Sequence, residues 1–183
     1  IADLPVILKP VDGRGSYGIK LIQTARDLEE NPLRQGYFFQ QYKEGTEYTI
    51  DTISNQKGRV LAAVPRIRVA VRDGKCIKAQ VVRNERLENA TKEICQSLGI
   101  TGPACFQCIL GSDNVPYFFD LNPRIGSATT ITVEAGVNIP FLAVKSLMGF
   151  EIKPEELVFR ENIIMLRYWS EIFTQLPEAR ERG

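Results

Sequence analysis

Polar side chains converge on one face of a predicted β-hairpin, and their chemistry suits a hard cation. The hairpin joins strands 103–111 and 116–122, and side chains alternate between the faces of a strand. With the tip at 113–114, the register pairs three sets of residues on one face: Gln107 with Asp120, Cys105 with Asn122, and Ile109 with Phe118. Magnesium accepts carboxylate and amide oxygens beside water and phosphate. We predict that Gln107, Asp120 and Asn122 bind magnesium. The alternative is an edge strand that shows polar groups to water.

The opposite face of the same hairpin is predicted to be core, because its side chains are all apolar. They are Phe106, Cys108, Leu110, Tyr117, Phe119 and Leu121. Cys105 and Cys108 stand three apart on one strand and point to opposite faces, so they cannot hold a metal together. We interpret them, with Cys76 and Cys95, as buried thiols.

A glycine-rich loop, DGRGSYG at 12–18, could bind phosphate. Its glycines permit positive φ and leave amide N–H groups uncovered. Lys9, at the end of the preceding apolar run, could add a point charge. Glycine loops also merely connect strands, and a lysine at a strand end can lay its stem along apolar surface. From the residues alone, both interpretations stay open.

Composition limits the class of partner. The 183 residues include 23 Lys and Arg and 22 Asp and Glu, for a net charge of +1. This charge provides no basic field for a nucleic acid or an anionic membrane, and no apolar run approaches the roughly 20 residues of a membrane helix. Four cysteines, no histidine and no apolar leader fit a reducing cytoplasm. We expect small-molecule partners and a cytoplasmic location, without nucleic acid or membrane.

The elements that must position these residues predict an α+β fold in two layers. Strands are expected within 37–55, 59–72 and 75–82, which are rich in Tyr, Phe, Val, Ile and Thr. Helices are expected from Thr24 to about Asn31 and between Asn84 and Gly99. Further helices are expected at 130–136, 140–148 and within part of 157–174.

Three segments together resemble the ATP-grasp superfamily, especially the large chain of carbamoyl-phosphate synthase and its ligase relatives. They are VILKPVDGRGSYGI from Val6, FFQQYKEGTEYTID from Phe38, and TGPACFQCILGSDNVPYFFDLNPRIG from Thr101. The resemblance implies two lobes of antiparallel sheet plus helices, with ATP between them. Residues 1–42 would be the remainder of the smaller lobe, and 43–183 the larger lobe with the metal site and the C-terminal helices.

The resemblance also implies roles for individual residues. Lys9 and Arg124 would be catalytic, with Lys9 at the ATP phosphates and Arg124 near the transferred phosphate or the substrate. Lys9 would also bind ATP, together with Gly13, Arg14, Gly15, Ser16 and Gly18 in the loop, Gln41, Tyr42 and Lys43 at the hinge, and Glu47 at the ribose. The metal would be Mg²⁺, with Mn²⁺ as an alternative. Arg66 and Arg68, two apart on one strand face, would meet an anionic substrate. Their alternative is a solvated, salt-bridged face.

The function implied is a ligase that phosphorylates a carboxylate to an acyl phosphate, which an amine or ammonia then attacks. Alternatives are an amino-acid or peptide ligase of the same superfamily, or a nucleotide-binding module without catalysis. Three positions depart from the common pattern: Gln41 and Asp120 replace glutamates, and Gln107 is neutral. The number of metal ions therefore stays open. We expect an N-terminal domain of the same protein to be missing, the chain alone to be inactive, and a homodimer to be a further candidate assembly.

Overall fold

A small antiparallel sheet is built by the first part of the chain. This computed structural model describes residues 3–13, 15, 17–72 and 74–175. The small sheet has the order β2-β1-β3, from β1 (Val6–Pro10), β2 (Lys20–Ile22) and β3 (Tyr37–Gln41). Helix α1 (Ala25–Glu30) begins at Thr24, whose side chain and that of Asp27 form a capping box.

A larger antiparallel sheet of six strands follows, with the order β8-β7-β4-β5-β6-β9. Its strands are β4 (Gly45–Ser54), β5 (Val60–Arg72), β6 (Lys75–Val81), β7 (Gly102–Gly111), β8 (Pro116–Asn122) and β9 (Ile164–Leu166). The chain therefore leaves the small sheet after Gln41 and enters the large sheet at Gly45. Of the predicted hinge residues, Tyr42 and Lys43 lie in this link, and Gln41 is the last residue of β3.

One face of the large sheet is covered by α2 (Glu85–Ser97). The helix presents Leu87 and Cys95 to a core that includes Ile50 and Phe106. Asn84 begins the helix by accepting the Leu87 N–H. Gly99, at a φ of +62°, ends it, because its N–H and that of Ile100 reach back to the carbonyls of Gln96 and Cys95.

Within the described part of the chain, helices cover the other face of the large sheet only at one end. There α3 (Thr130–Glu134) and α4 (Ile139–Leu147) pack on a second core around Ile53, Val64 and Ile131. The remaining part of this face opens toward the small sheet. Among the described residues, no helix is long and apolar enough to cross a membrane.

The predicted α+β class is confirmed, as are the strands and the helices up to residue 148. The predicted helix within 157–174 is wrong. This segment contains the end of a 3₁₀ turn (Pro154–Leu157) and then strand β9. The strand forms because β6 offers a free edge, to which Ile164, Met165 and Leu166 pair, while Ile163 and Met165 pack against the second core.

Candidate active site between the two sheets

The uncovered face of the large sheet carries polar side chains in registered rows. One row crosses four strands: Arg66, Thr49, Gln107 and Asp120 are successive partners. The next row contains Asp51, Cys105 and Asn122. Neighbouring strands lie about 4.8 Å apart, so each row brings residues distant in sequence within reach of one ligand. The predicted pairs Gln107 with Asp120 and Cys105 with Asn122 are confirmed.

A register shift after Gln107 changes the rest of the hairpin. Cys108 pairs with Phe118, and Ile109 pairs with Tyr117, so the predicted pair Ile109 with Phe118 is wrong. A β-bulge adds one residue to a strand and reverses its alternation. Phe118 consequently packs against the core around Phe106. Tyr117 and Phe119, which were predicted to be core, instead line the space between the sheets.

The predicted metal ligands form one hydrogen-bonded cluster. Asp120 Oδ2 accepts the side-chain amide of Gln107 over 2.8 Å and that of Asn122 over 2.7 Å. Arg124 Nη2 donates to Asn122 Oδ1 over 3.0 Å. Asp120 Oδ1 and Gln107 Oε1 take no part in these bonds, and a carboxylate or amide oxygen is the type of donor atom that suits Mg²⁺.

The cluster has a single negative charge to offer a cation. Among the described parts of the chain, no group of three or more His, Cys, Asp or Glu side chains could hold a metal ion. A cation at Asp120 would therefore rely on amide oxygens, on water and on oxygens of a bound anion. This donor set fits magnesium with a phosphate ligand.

A cavity of about 650 Å³ brings most of the predicted site residues together. They come from both sheets and from the glycine loop: Lys9, Gly13, Gly15, Glu47, Arg68, Gln107, Asp120, Asn122 and Arg124. Gly18 does not line it; a Cβ added at Gly18 would lie 3.0 Å from the Tyr37 hydroxyl and 3.7 Å from Pro10 Cγ. Arg14 and Ser16 lie outside the described residues.

Lys9 connects the two sheets. Its Nζ donates to the carbonyl oxygen of Phe119 on β8 over 3.4 Å and lies 5.2 Å from the centre of the Phe38 ring. A partly buried ammonium that points across a cleft is a suitable point charge for phosphate. The geometry therefore favours the phosphate role of Lys9 over a lysine that only reaches toward solvent.

A second cavity, of about 590 Å³, adjoins Lys9 and Glu47 and contains the three hinge residues Gln41, Tyr42 and Lys43. Tyr117, which sequence analysis assigned to the core, stands in it. Lys43 Nζ lies 4.2 Å from the Tyr117 ring centre, and Asp113 Oδ2 accepts the Tyr117 hydroxyl over 2.5 Å. This hydrogen bond raises the pKa of Tyr117 and lowers that of Asp113. The ring is thus fixed beside a space of mixed apolar and polar character that suits a planar base.

Glu47 and Arg68 form an ion pair at the wall shared by the cavities. The distance from Arg68 Nε to Glu47 Oε1 is 2.7 Å. Burial raises the pKa of Glu47, and the nearby Arg68 charge acts in the opposite direction. Arg68 Nη2 also donates to the Gly74 carbonyl. Arg68 therefore lies in the site, but its charge is already partly matched by Glu47.

Arg66 is placed differently from Arg68. Only 2% of its surface is exposed, and it lines neither cavity. Its Nε and Nη2 donate to the buried carboxylate of Asp51 over 3.0 and 3.3 Å. Burial acts to lower the pKa of Arg66, but the charge and hydrogen bonds of Asp51 outweigh it and raise that pKa. The position of Arg66 supports neither the predicted substrate contact nor a solvated face.

Sequence analysis missed Asp51, Tyr117 and Asp113. The signal for Asp51 was an acidic residue inside an apolar strand, IDTIS, where a charge needs a partner.

The four cysteines are free and buried, as interpreted. Burial, and then the Asp51 charge, raise the pKa of Cys105 to about 12; burial raises that of Cys108 to about 12.

Comparison with known proteins adds a family and a set of folds. Residues 35–171, most of the chain, match the family model described as ATP-grasp in the biosynthetic pathway with Ter operon. No curated protein sequence matches the chain.

Solved structures resemble the chain over most of its length. Biotin carboxylase from Campylobacter jejuni, in a β-γ-ATP complex, superposes with a TM-score of 0.73 and 18% identity over 85% of this chain and 40% of that one. N5-carboxyaminoimidazole synthase from Aspergillus clavatus, in complex with ADP and 5-aminoimidazole ribonucleotide, superposes with a TM-score of 0.72 and 16% identity. The match covers 90% of this chain and 46% of that one. The biotin carboxylase domain of Hydrogenobacter thermophilus 2-oxoglutarate carboxylase, in complex with MgADP, ADP and bicarbonate, superposes with a TM-score of 0.68 and 17% identity. The match covers 85% of this chain and 39% of that one. This likeness shows the fold, and the chain spans less than half of each of these proteins.

Proposed function

Because this chain belongs to the family of ATP-grasp domains in the biosynthetic pathway with Ter operon, we propose that it binds ATP with Mg²⁺ between its two sheets. The reaction proposed is ATP-dependent ligation of a carboxylate to an amine. The fold is that of ATP-grasp enzymes. The predicted boundary between a smaller lobe at 1–42 and a larger lobe at 43–183 is part of the proposal, and the change of sheet between Gln41 and Gly45 supports it.

The observation that carries the proposal is the composition of the 650 Å³ cavity. It combines a lysine from the small sheet, glycines of the loop and the hydrogen-bonded cluster of Asp120 on the large sheet. The residues proposed to bind phosphate and those proposed to bind the cation therefore line one cavity. The adjoining cavity at the hinge would hold the base, and Glu47 at the shared wall would reach the ribose.

The residues present would act by positioning and by charge. A substrate carboxylate oxygen would form a bond to the γ-phosphorus of ATP, and the bond from that phosphorus to the ADP oxygen would break. An amine would then bond to the acyl carbon, phosphate would leave, and the amine would lose a proton to solvent. Lys9 and Arg124 would stabilise the transferred charge, since phosphoryl transfer leaves little for a protein acid or base to do. Bound magnesium, held by Asp120 with the oxygens of Gln107 and Asn122, would neutralise phosphate charge.

The finer proposal is a carbamoyl-phosphate synthase-like reaction, in which ammonia is the amine. It depends on the resemblance of the loop, the hinge and the FDLNPR segment. The solved structures above carry other names, so an amino-acid or peptide ligase of the same fold remains the competing proposal.

Hydrogen exchange with and without Mg-ATP tests the proposed function. We expect nucleotide to protect 12–18 and 41–47, because the loop and the hinge would close on phosphate and base. Lys9→Met should abolish protection of the loop. Lys20→Met, a lysine of the same sheet that bonds to Asn31, should preserve it. Protection confined to other segments would contradict the proposed site.

A further inference from the structure

A buried acidic residue on β4 contacts α3, the helix that follows the hydrogen-bonded cluster of Gln107, Asp120 and Asn122. Asp51 is 1% exposed. Arg66 holds both of its carboxylate oxygens, and Thr132 Oγ1 donates to its Oδ2 over 2.6 Å. Thr132 belongs to α3 and is itself fully buried. Asp51 is therefore fixed from the sheet side and in turn fixes α3.

Segment 123–129 lies between the hydrogen-bonded cluster of Asp120 and α3, and Arg124 is near its start. It follows Asn122, which shares a row of the sheet with Asp51. Gly126 packs so closely that a Cβ there would lie 3.3 Å from Asp51 Oδ1 and 3.1 Å from Cys105 Sγ. The segment is thus pressed onto Asp51 in its middle and tied to Asp51 through Thr132 at its end.

A gain in folding stability from the Asp51–Arg66 ion pair does not by itself explain this arrangement. Removing a carboxylate and a guanidinium from water costs several kcal/mol, and a buried ion pair often only offsets that cost. A bidentate pair does, however, restrict the carboxylate to one orientation. The hydrogen bond from Thr132 then restricts α3 and the segment before it to one position relative to the sheet.

We propose that Asp51 is a positioning residue for segment 123–129. Arg66 orients Asp51, and Asp51 holds Thr132. The segment thereby keeps Arg124 hydrogen-bonded to Asn122 at the wall of the 650 Å³ cavity. This inference rests on the proposed function, because it assigns Arg124 to a bound nucleotide. Arg66 would then act through Asp51 and not by touching the substrate.

The test removes only the link from Asp51 to α3. Thr132→Val deletes the hydroxyl and preserves the shape, whereas Asp51→Asn would leave the Arg66 charge buried and could unfold the chain. Thr132→Ser retains the hydroxyl. Thr52→Val is the matched control. The Thr52 side chain is fully buried on the opposite face of the sheet, and its hydroxyl donates to the Ala104 carbonyl. Calorimetry would measure Mg-ATP, Mg-ADP and metal-free ADP binding in all four proteins.

We expect Thr132→Val to reduce the ratio of Mg-ATP to Mg-ADP affinity by about tenfold, as outer supporting contacts often do, with metal-free ADP binding unchanged. Thr132→Ser should restore the ratio, and Thr52→Val should keep it. An unchanged ratio in Thr132→Val, or an equal fall in Thr52→Val, would overturn the positioning role while the proposed function stands. Absence of Mg-ATP binding by the parent chain would overturn both.

Discussion

Gln107 and Asp120 are direct partners across strands β7 and β8, and the amide of Gln107 donates to Asp120 Oδ2 over 2.8 Å. The bond orients the amide so that its oxygen and the second carboxylate oxygen of Asp120 can face the same space. In the cluster, Asp120 alone has a negative charge. The strongest single contribution to cation binding should therefore come from this residue.

Asp120→Asn should weaken magnesium-dependent ATP binding by roughly 1.5 to 3 kcal/mol or more, the scale of a lost charge-assisted contact. Shape is nearly preserved, so metal-free nucleotide binding should change much less. Asn122→Ala should cost less, because water can replace one neutral ligand. Calorimetry with and without magnesium measures both effects, with Glu134→Gln, an exposed carboxylate change, as control. Equal Mg-ATP affinity in Asp120→Asn and the parent would exclude Asp120 as a ligand.

Arg124→Met should have opposite effects on bare metal and on Mg-ATP. Arg124 occupies Asn122 Oδ1 and places a positive charge beside the cation position. Its removal should raise the affinity for Mn²⁺ alone about threefold to tenfold, the effect of deleting one charge ~5–10 Å away in water. Affinity for Mg-ATP should fall, because Arg124 would face the phosphates. Electron paramagnetic resonance of free Mn²⁺ checks the first effect, and Arg26→Met, on exposed α1, is the control. Weaker Mn²⁺ binding would show that Arg124 does not compete for Asn122.

Gly45→Ala should destabilise the chain by about 2 to 4 kcal/mol. Gly45 begins β4 directly after the hinge, at a φ of +157°, and a Cβ there would lie 2.2 Å from the Leu110 carbonyl oxygen. Gly58→Ala is a matched control. Its φ of +75° is also unfavourable for alanine, but a Cβ would meet nothing within 4 Å, so the cost should be about 1 to 2 kcal/mol. Urea unfolding compares them, and similar midpoints would refute the close approach of β4 and β7.

Stability should fall as pH rises above 9. The Cys105 and Cys108 thiols have folded pKa values of about 12 against an ordinary 9.0. Both states are protonated below pH 9, so the thiols add no pH dependence there. Between pH 9 and 12 the unfolded thiols lose protons first, and each lowers stability by up to about 1.4 kcal/mol per pH unit. Urea unfolding from pH 8 to 10.5 should show a smaller slope for Cys108→Ala than for the parent. Identical slopes would place the thiolate of Cys108 in contact with solvent.

Strand alternation was sufficient to predict that Gln107 pairs with Asp120 and Cys105 with Asn122, because these pairs lie before the register shift. It could not predict the shift, since nothing in the residues from Gly111 to Pro116 signals an extra residue in β8. Tyr117 was consequently assigned to the wrong face. The C-terminal strand was missed for another reason: Met165 adopts an extended backbone because it pairs with the edge of β6 that β5 leaves open, and an edge is a property of the assembled sheet.

Asp51 marks a different limit. Its position in a strand was predicted, but its partners lie 15 and 81 residues away along the chain. Spacing within one segment contains no information about such contacts. Only the registered pairing of β4 with β5, together with the return of α3 over the sheet, brings the three side chains together.

The β-bulge after Gln107 also separates two parts of the hairpin in an evolutionary sense. The pairs on the side of Asn122 are fixed by core contacts, and the irregular position takes up the mismatch with the tip. We therefore expect insertions or deletions between Gly111 and Pro116 to leave Asp120 paired with Gln107. The tip borders the space proposed for the base, so a lineage could alter which base is accepted while the proposed metal ligands stay in place.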